Sequence, residues 1–324
     1  MADEAPRRPR TPRLATVLRT SRPTPHLVRV VLGGEGLAGF APTFTDAYVK
    51  LVLPPAGAPY AAPFDMDAVQ GEHPRELWPC LRTYTVRAWD PVAGELVLDV
   101  VVHGDEGLAG PWAAAARPGD LVQLLGPGGA YEPAGDVDWH LLAGDETALP
   151  AIAASLDRLP AGAAARVFVE VADAAEEQPL PLPAGVRLTW VHRAAVPGEA
   201  LVAAVRGAAL PAGSVHAFVH GEAGFVRELR RFLRVERSVP REHLSASGYW
   251  RLGRTDEGWR AEKADWNAAA RIGDDFIQQN LGGGTVDQDA FTHGSSEQRQ
   301  RWFTTGYRTG DPAQCDTFAT DDLG

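Results

Sequence analysis

The sequence is poor in cysteine and in basic residues, and each shortage excludes a class of protein. Its cysteines are Cys80 and Cys315, far apart in a chain of 324 residues, which excludes a zinc ribbon, an iron–sulfur cluster and a disulfide framework. Asp and Glu outnumber Lys and Arg by 42 to 31, and the net charge of −11 argues against nucleic acid as a partner. Because two isolated cysteines supply no redox centre, any redox chemistry must come from a bound cofactor.

Long apolar runs are also missing. Every apolar stretch is of strand length and is broken by Arg, Asp, Gly or Pro, so none approaches the roughly 20 residues that span a bilayer. Residues 1–12 are charged and rich in proline, where a secretion signal needs an apolar core. We therefore expect a disordered tail over residues 1–12 and a cytoplasmic monomer without membrane contact.

The apolar content of 45% is sufficient for two hydrophobic cores, since a single core rarely grows beyond about 250 residues. Residues 13–134 hold short β-type runs separated by Gly and Pro turns. Examples are LVRVVLG, DAYVKLVLP, RTYTVRAW, ELVLDVVVH and DLVQLLGPGG. This rhythm predicts an antiparallel β-barrel.

A second rhythm predicts an α/β domain over residues 135–266. Strands such as DWHLLAGD, ARVFVEVA and SVHAFVHGE alternate with helices such as ALPAIAASLDRL and AGFVRELRRFLRVE. This alternation predicts a parallel sheet with right-handed crossovers. A barrel followed by such a domain suits a flavin on one domain and a nicotinamide on the other, but fold alone does not establish function.

The predicted barrel strand Arg82–Arg87 carries a charged and aromatic stripe. Alternation sets Arg82 and Tyr84 on one face of the strand and Thr83 and Thr85 on the other. Tyr84 is suited to stacking on a flavin ring, Thr85 to a hydrogen bond near its reactive nitrogen, and Arg82 to a diphosphate. The alternative is an exposed strand face with ordinary cross-strand pairs, and the stripe alone favours neither interpretation.

Three turns are candidate phosphate loops. In His103–Gly110 the backbone amides at a helix start are suited to a diphosphate, but Asp105 and Glu106 oppose it and a plain turn is the alternative. Gly126–Gly129 is equally consistent with the last turn of the barrel. Gly144–Pro150 follows the first α/β strand but lacks the glycines of a dinucleotide fingerprint, so we expect its acids to cap the next helix and repel a pyrophosphate.

The histidines do not predict a metal site. His216 and His220 have the spacing of a helical zinc pair but fall in a predicted strand, where they would lie about 13 Å apart. We interpret His140 and His216 as core or sheet residues. His192 and Arg193 end another strand and are suited to an adenosine phosphate, although we interpret them as surface residues.

Six motifs in order resemble the siderophore-interacting protein family over about residues 13–266. They are RTYTVR, HGDEGLAGPWA, GPGGAY, AGDETALPAIAASLDRL, VHGEAGFVRELRRFL and SGYWRLGRTDEGWRAEKADW. The resemblance implies a ferredoxin-reductase-like fold, with FAD in the barrel domain and a nicotinamide-type second domain. It further implies that electrons from NADH, NADPH or a protein donor pass through FAD to a ferric siderophore, releasing iron(II).

The resemblance also implies site residues, none of which acts as a catalytic acid or base, because the chemistry is on the flavin. Those implied at FAD are Arg82, Thr83, Tyr84, Thr85, His103, Gly104, Ala109, Gly110, Gly128, Gly129 and Tyr131. Those implied at the first α/β turn are Asp145, Glu146, Thr147 and Ala148. A basic cluster implied for the anionic siderophore comprises Arg251, Arg254 and Lys263, with Arg260 in the same span, the alternative being a solvated charged helix.

Two other functions stay open: a general flavin or electron-carrier reductase, and a siderophore-binding protein without activity. The tail over residues 267–324 resembles the C-terminal segment of neutral zinc metallopeptidases. The HExxH helix that supplies zinc ligands in such enzymes is absent from the sequence. We therefore expect a partly helical, non-catalytic tail.

Overall fold

The computed structural model describes residues 12–102, 104, 107–255, 258–259, 295, 298–302 and 304. The chain forms two compact units, Met1–Leu252 and Gly253–Gly324, and the fold below is that of the first unit. Residues 1–11 of the predicted N-terminal tail, and most of the predicted C-terminal tail, lie outside the described residues. Among the described residues, no helix has the length and apolar character needed to cross a membrane.

The N-terminal half folds as the predicted barrel. Its strands are Arg13–Thr24 (β1), Leu27–Gly33 (β2), Tyr48–Leu53 (β3), Cys80–Asp90 (β4), Glu95–Val101 (β5) and Leu121–Gly128 (β6). They close antiparallel in the order β1-β2-β5-β4-β3-β6. Apolar residues at alternate positions fill the interior, including the fully buried Val30, Leu32, Val49, Leu51, Leu96 and Leu98. Burial of each such side chain contributes about 1.5–3 kcal/mol to stability.

Two short helices interrupt the barrel. Helix α1, Met66–Glu72, begins where the carboxylate of Asp65 accepts hydrogen bonds from the amides of Asp67 and Ala68, the usual role of Asp before a helix. Helix α2, Ala109–Ala115, follows the candidate loop after β5 and starts at Leu108 without a side-chain cap. The helix start predicted at the His103–Gly110 turn is thus confirmed.

The C-terminal half of the unit is the predicted parallel sheet. Its strands are Trp139–Asp145 (β7), Ala164–Val171 (β8), Val186–His192 (β9), Val215–Glu222 (β10) and Leu244–Trp250 (β11). Their order is β11-β10-β7-β8-β9, with every neighbouring pair parallel. The helices are Leu149–Asp157 (α3), Glu199–Gly207 (α4) and Ala223–Arg231 (α5), the last continued by a π-helical turn over Phe232–Glu236.

Both faces of this sheet are covered, which explains why its central strands β7 and β10 are rich in apolar residues. One core holds Leu201, Val205 and Phe225 of α4 and α5, and the other holds Ile152 of α3 together with Tyr131. Strands β7 and β10 are buried along their whole length. The predicted fold class is confirmed.

Helix α3 packs against the barrel. The hydroxyl of Ser155 donates to Thr45 Oγ1 at 2.9 Å, and Arg158 Nη1 donates to the carbonyl of Thr43 at 2.8 Å. A second attachment is formed by Glu176, which accepts hydrogen bonds from Thr24 Oγ1 at 2.5 Å and from the backbone amide of His26 at 3.2 Å. The barrel and the sheet are therefore joined at more than one place.

Candidate functional site

The parallel sheet reverses its strand order between β7 and β10, and ligands of such sheets bind outside the carboxyl ends of the strands at this point. Strand β7 ends in Gly144-Asp145 and β10 ends in Gly221-Glu222. Two motifs that are far apart in the sequence thus meet at one edge of the sheet. We call this edge, with the turn Glu146–Ala148 that follows β7, the switch edge.

Asp145 organises the switch edge. Its Oδ1 accepts hydrogen bonds from the amide of Thr147 at 2.9 Å and from that residue's hydroxyl at 2.5 Å. Its Oδ2 accepts from the amide of Glu222 and from the indole Nε1 of Trp250, each at 2.8 Å. Burial and the charge of Glu146 raise the pKa of Asp145 to about 6, against the effect of the donors. Asp145 therefore links β7 to β10 and β11.

Glycine is required at both strand ends. A Cβ on Gly144 would lie 2.6 Å from the carbonyl oxygen of His220, and a Cβ on Gly221 would lie 2.5 Å from Asp145 Oδ2. Gly221 also has a φ of +136°, which side chains rarely adopt. These glycines bring the strands and the carboxylate close together, and they are not phosphate-loop glycines.

The expectation that the acids after β7 cap α3 was wrong. The N-cap residue of α3 is Ala148, which has no side-chain cap, because Asp145 is committed to the turn and to the neighbouring strands. Side-chain capping occurs at α5 instead, where Glu222 Oε2 accepts from the amides of Gly224 at 2.5 Å and Phe225 at 3.2 Å. Ala148 is fully buried, so its side chain offers no surface to a ligand.

Arg193 was wrongly interpreted as a surface residue. Its guanidinium Nη2 forms an ion pair with Glu146, and its Nε lies 3.6 Å from Oε2 of the buried Glu170. Glu146 and Arg193 are mostly buried, with side chains 16% and 21% exposed. The acid that was expected to repel phosphate is therefore partly neutralised by an arginine that follows β9.

On β4 the predicted stripe is in place. Tyr84 packs against the barrel core and stays partly exposed, and Arg82 is also half-buried. Thr83 is exposed, whereas Thr85 is buried and its hydroxyl lies beside the phenol of Tyr249 on β11. Burial raises the pKa of Tyr249 above its ordinary value, which keeps the phenol protonated. A side-chain contact thus connects the barrel strand to the edge strand of the sheet.

The candidate loop after β5 is only partly described. Gly104 is exposed with a φ of +57°, and a Cβ there would meet nothing within 4 Å. Gly110 is half-buried, whereas Ala109 belongs to the barrel core and turns its methyl group away from any ligand. His103 lies outside the described residues.

The glycines after β6 and Tyr131 do not form an open face. A Cβ on Gly128 would lie 2.7 Å from the ring of Tyr48, and a Cβ on Gly129 would lie 2.9 Å from Phe44 Cβ. Tyr131 is 2% exposed, with its ring 4.9 Å from the ring of Phe218. The ring of Tyr131 is therefore buried in the core of the sheet and does not face a flavin. Gly128 and Gly129 are half-buried, and their place at the flavin stays a prediction.

The predicted basic cluster is only partly visible. Arg251 follows β11 directly and is half-buried, and Arg254 is exposed in the second unit. Arg260 and Lys263 lie outside the described residues. The grouping of these side chains therefore stays a prediction.

The interpretation of His140 and His216 as sheet residues is confirmed, because His140 is buried on β7 and His216 is buried on β10, the strand that also carries His220. The Nδ1 of His216 accepts a hydrogen bond from the amide of Ala134 at 3.1 Å. Burial, aided by His140 and His243, lowers the pKa of His216 to about 4.

Sequence reasoning missed the roles of Glu222, Tyr249 and Trp250. All three lie in motifs that carried the family resemblance, GEAGF and SGYWR, so the motifs held a signal. Their partners, Asp145 and Thr85, belong to other motifs of the same set. The motifs therefore contact one another in the fold.

Comparison with protein families finds matches along most of the chain. The model described as "Siderophore-interacting FAD-binding domain" matches residues 16–131, and the model described as "Siderophore-interacting protein" matches residues 137–253. A third, "Putative neutral zinc metallopeptidase", matches residues 253–318. The first match coincides with the barrel and the second with the parallel sheet.

The residues present fit FAD. Strand β4 offers a half-buried guanidinium, a partly exposed aromatic ring and a hydroxyl on neighbouring residues, which are groups that suit a diphosphate, an isoalloxazine ring and a ring nitrogen. In the loop after β5, the exposed glycines Gly104 and Gly107 have positive φ angles, and a Cβ at either position would meet nothing within 4 Å. Arg82, Tyr84 and Thr85 are the side chains that would hold the group.

This chain matches three named relatives over most of their length. Ferric vibriobactin reductase ViuB of Vibrio cholerae is 32% identical over 78% of this chain and 94% of that protein. The NADPH-dependent ferric-chelate reductase of Escherichia coli is 32% identical over 72% of this chain and 91% of that protein. The crystal structure of the siderophore-interacting protein SipS from Aeromonas hydrophila superposes with a TM-score of 0.69 at 33% identity, covering 79% of this chain and 98% of that one. The chain therefore belongs to the siderophore-interacting protein family.

Proposed function

We propose that this chain is a flavin-dependent ferric-siderophore reductase that takes electrons from NADH or NADPH. The observation that carries the proposal is the set of groups on β4, where the half-buried guanidinium of Arg82, the partly exposed ring of Tyr84 and the hydroxyl of Thr85 lie within four residues. This strand belongs to a closed barrel that precedes a parallel sheet of the nucleotide-binding type. The reductase activities named for the relatives from Vibrio cholerae and Escherichia coli support the same function.

In this proposal residues 13–134 bind FAD and residues 135–266 receive the nicotinamide. Arg82 neutralises the diphosphate, Tyr84 covers the ring and Thr85 orients it, with Thr83 and the loop at Gly104 and Gly110 beside the phosphates. Loop residue His103, also assigned to FAD, lies outside the described residues. At the switch edge, Asp145 and Thr147 shape the site, and Glu146 sets its charge.

When bound, FAD supplies the conversion of a two-electron donor to the one-electron reduction that iron(III) needs. The protein needs no nucleophile, acid or base for this chemistry, so its side chains orient the ring and set the local charge. The iron is substrate and has no protein ligands in this proposal. Its anionic oxygen ligands hold iron(III) more firmly than iron(II), so reduction favours release of the metal.

The siderophore is expected to meet the basic segment that follows β11. A chain with a net charge of −11 needs a local group of cations to attract an anionic chelate. We assign this role to Arg251, Arg254 and Lys263. The protein is proposed to act as a monomer in the cytoplasm, where reduced nicotinamides are available. The tail over residues 267–324 is proposed to be non-catalytic.

The first test is spectroscopic. Purified protein, reconstituted with FAD, should be yellow, and anaerobic NADH or NADPH should bleach the flavin band. Adding a ferric catecholate or hydroxamate should restore the band while an iron(II) chelator reports released metal. A colourless protein that does not take up FAD would overturn the proposal.

Charge reversal separates the alternatives. Arg254→Glu with Lys263→Glu should abolish reduction of ferric siderophores and spare reduction of a neutral dye, with Arg22→Glu, an exposed arginine on β1, as the matched control. Equal loss with dye and siderophore would favour a general flavin or electron-carrier reductase. Siderophore binding without nicotinamide oxidation would favour a binding protein without activity.

A further inference from the structure

We propose that Arg193 binds a phosphate of the nicotinamide coenzyme, and that Glu146 competes with this phosphate for the Arg193 guanidinium and so sets coenzyme affinity. This inference rests on the proposed function, because it assumes that a nicotinamide binds at the switch edge. It goes further by naming a residue pair for coenzyme selection that neither the flavin site nor the basic segment includes.

The position of Arg193 is the first support. It follows the edge strand β9, and its backbone amide donates to the carbonyl of Val171 on β8 at 2.9 Å. From there its side chain reaches over the end of β8 to Glu146, in the turn after β7. The guanidinium thus lies at the carboxyl ends of the strands, where sheets of this kind bind the phosphates of dinucleotides.

The local charge is the second support. Three carboxylates stand along the ends of β7 and β8, those of Asp145, Glu146 and Glu170, and Arg193 contacts the last two. Glu170 is held in place, since its Oε2 accepts a hydrogen bond from the amide of Gly198 at 2.8 Å. A phosphate approaching this row is repelled unless the guanidinium turns toward it.

The geometry of the pair makes such a turn feasible. Glu146 belongs to a turn and caps no helix, while Arg193 stays partly exposed. Arginine matches a phosphate with two parallel N–H donors, as it matches a carboxylate, so one partner substitutes for the other. Glu170 remains 3.6 Å from Arg193 Nε and holds the base of the side chain near the edge.

We therefore predict that removing the acid Glu146 increases the affinity for the coenzyme. Glu146→Gln keeps the shape of the side chain, removes its charge and leaves Arg193 for the ligand. We expect about tenfold tighter binding of NADP⁺, with a smaller gain for NAD⁺, which lacks the additional phosphate. Arg193→Gln should weaken NADP⁺ binding at least about tenfold, and the double variant should bind like Arg193→Gln.

The experiment is calorimetric titration of the FAD-loaded, iron-free protein with NADP⁺ and with NAD⁺. The matched control is a second Arg–Glu pair, Arg206 with Glu236, whose two hydrogen bonds of 2.9 and 2.8 Å tie α4 to the π-helical turn. Glu236→Gln should leave both titrations unchanged. Thermal unfolding of each variant identifies a protein that has lost its fold.

Unchanged or weaker NADP⁺ binding by a folded Glu146→Gln protein would overturn the inference. This variant decides the question even if Arg193→Gln does not fold, because it introduces no unpaired acid. The proposed function is tested separately by reducing the flavin with dithionite and adding a ferric siderophore, which requires no coenzyme. Loss of iron(II) production there counts against the reductase, whereas altered titrations alone concern the pair.

Discussion

The indole Nε1 of Trp250 donates a 2.8 Å hydrogen bond to Oδ2 of Asp145, and this bond joins the end of β11 to the end of β7. Because β10 lies between these strands and its Glu222 amide donates to the same oxygen, three strand ends share one carboxylate. The arrangement fixes the residue after β11, Arg251, relative to the turn that carries Glu146.

Removal of the indole donor should destabilise the sheet. Trp250→Phe leaves a buried carboxylate with one donor fewer, so the free energy of unfolding should fall by about 1.5–3 kcal/mol, the range for bonds to charged groups. Urea unfolding followed by circular dichroism measures the change. Trp78→Phe is the control, since its indole donates to the uncharged carbonyl of His73 at 3.0 Å and should cost less. Equal losses would show that the carboxylate has no special role.

Gly221→Ala should be more damaging. The new Cβ would lie 2.5 Å from Asp145 Oδ2 on a backbone with a φ of +136°. Strain of this kind costs about 1–3 kcal/mol, and displacement of the carboxylate adds to it. Thermal unfolding should show a lower midpoint. Gly71→Ala in α1, where a Cβ meets nothing within 4 Å, should be neutral or slightly stabilising, and a similar loss there would contradict the steric explanation.

Tyr249→Phe should weaken the binding of FAD. The substitution removes the hydroxyl that lies beside Thr85, so the threonine loses a polar neighbour that favours its orientation toward the flavin ring. Loss of one neutral polar contact predicts a Kd about 3–10-fold higher, measured by fluorescence titration of the apoprotein. Tyr60→Phe, which removes a hydroxyl donating to the carbonyl of Leu77 at 2.5 Å, is the control. Indistinguishable Kd values for the two variants would contradict a role for Tyr249.

His216 should contribute a loss of stability in mild acid. Burial lowers its pKa to about 4 in the fold, whereas an unfolded histidine titrates at about 6.5. Between these values the unfolded chain binds an additional proton, so this contribution to stability decreases as pH falls from about 6.5 to about 4, by about 3 kcal/mol in total. Asp145, with a pKa raised to about 6, acts in the opposite direction over part of this range.

A variant isolates this effect. His216→Asn places a side-chain oxygen near the position of Nδ1, where it accepts the amide of Ala134. The variant retains Asp145, so the difference between the two unfolding curves reports His216. Urea midpoints at pH 7, 5 and 4 should converge between wild type and variant as pH falls. Parallel midpoints would contradict the assigned pKa.

Much of the fold could be predicted from the sequence because its strands differ clearly from their turns. The apolar runs of β2, β3 and β5 predicted the barrel, and β7, β8 and β10 predicted the parallel sheet. Strand β1 was not singled out, since its middle is exposed and polar, and β11 was missed because SASGYW is rich in small residues and half-buried throughout. Periodicity reveals a strand only where burial is regular.

The site was less predictable for a physical reason. The partner of Arg193 is Glu146, which lies 47 positions away in the sequence. The two side chains reach each other because only one strand, β8, lies between β7 and β9 in the sheet. Tyr131 follows a glycine turn and was expected at the flavin, but its ring packs against His216 and Phe218 instead. Motifs identify which residues matter, whereas strand order and register determine which of them touch.

The attachment of α3 to the barrel has a mechanical consequence. Helix α3 follows the switch edge. Near its other end, Ser155 and Arg158 are hydrogen-bonded to Thr45 and Thr43 of the barrel half. At a separate place, Glu176 accepts a hydrogen bond from Thr24 on β1. These two separate attachments oppose a hinge motion between the barrel and the sheet. We therefore expect a ligand that contacts both halves to bind without a change in their separation.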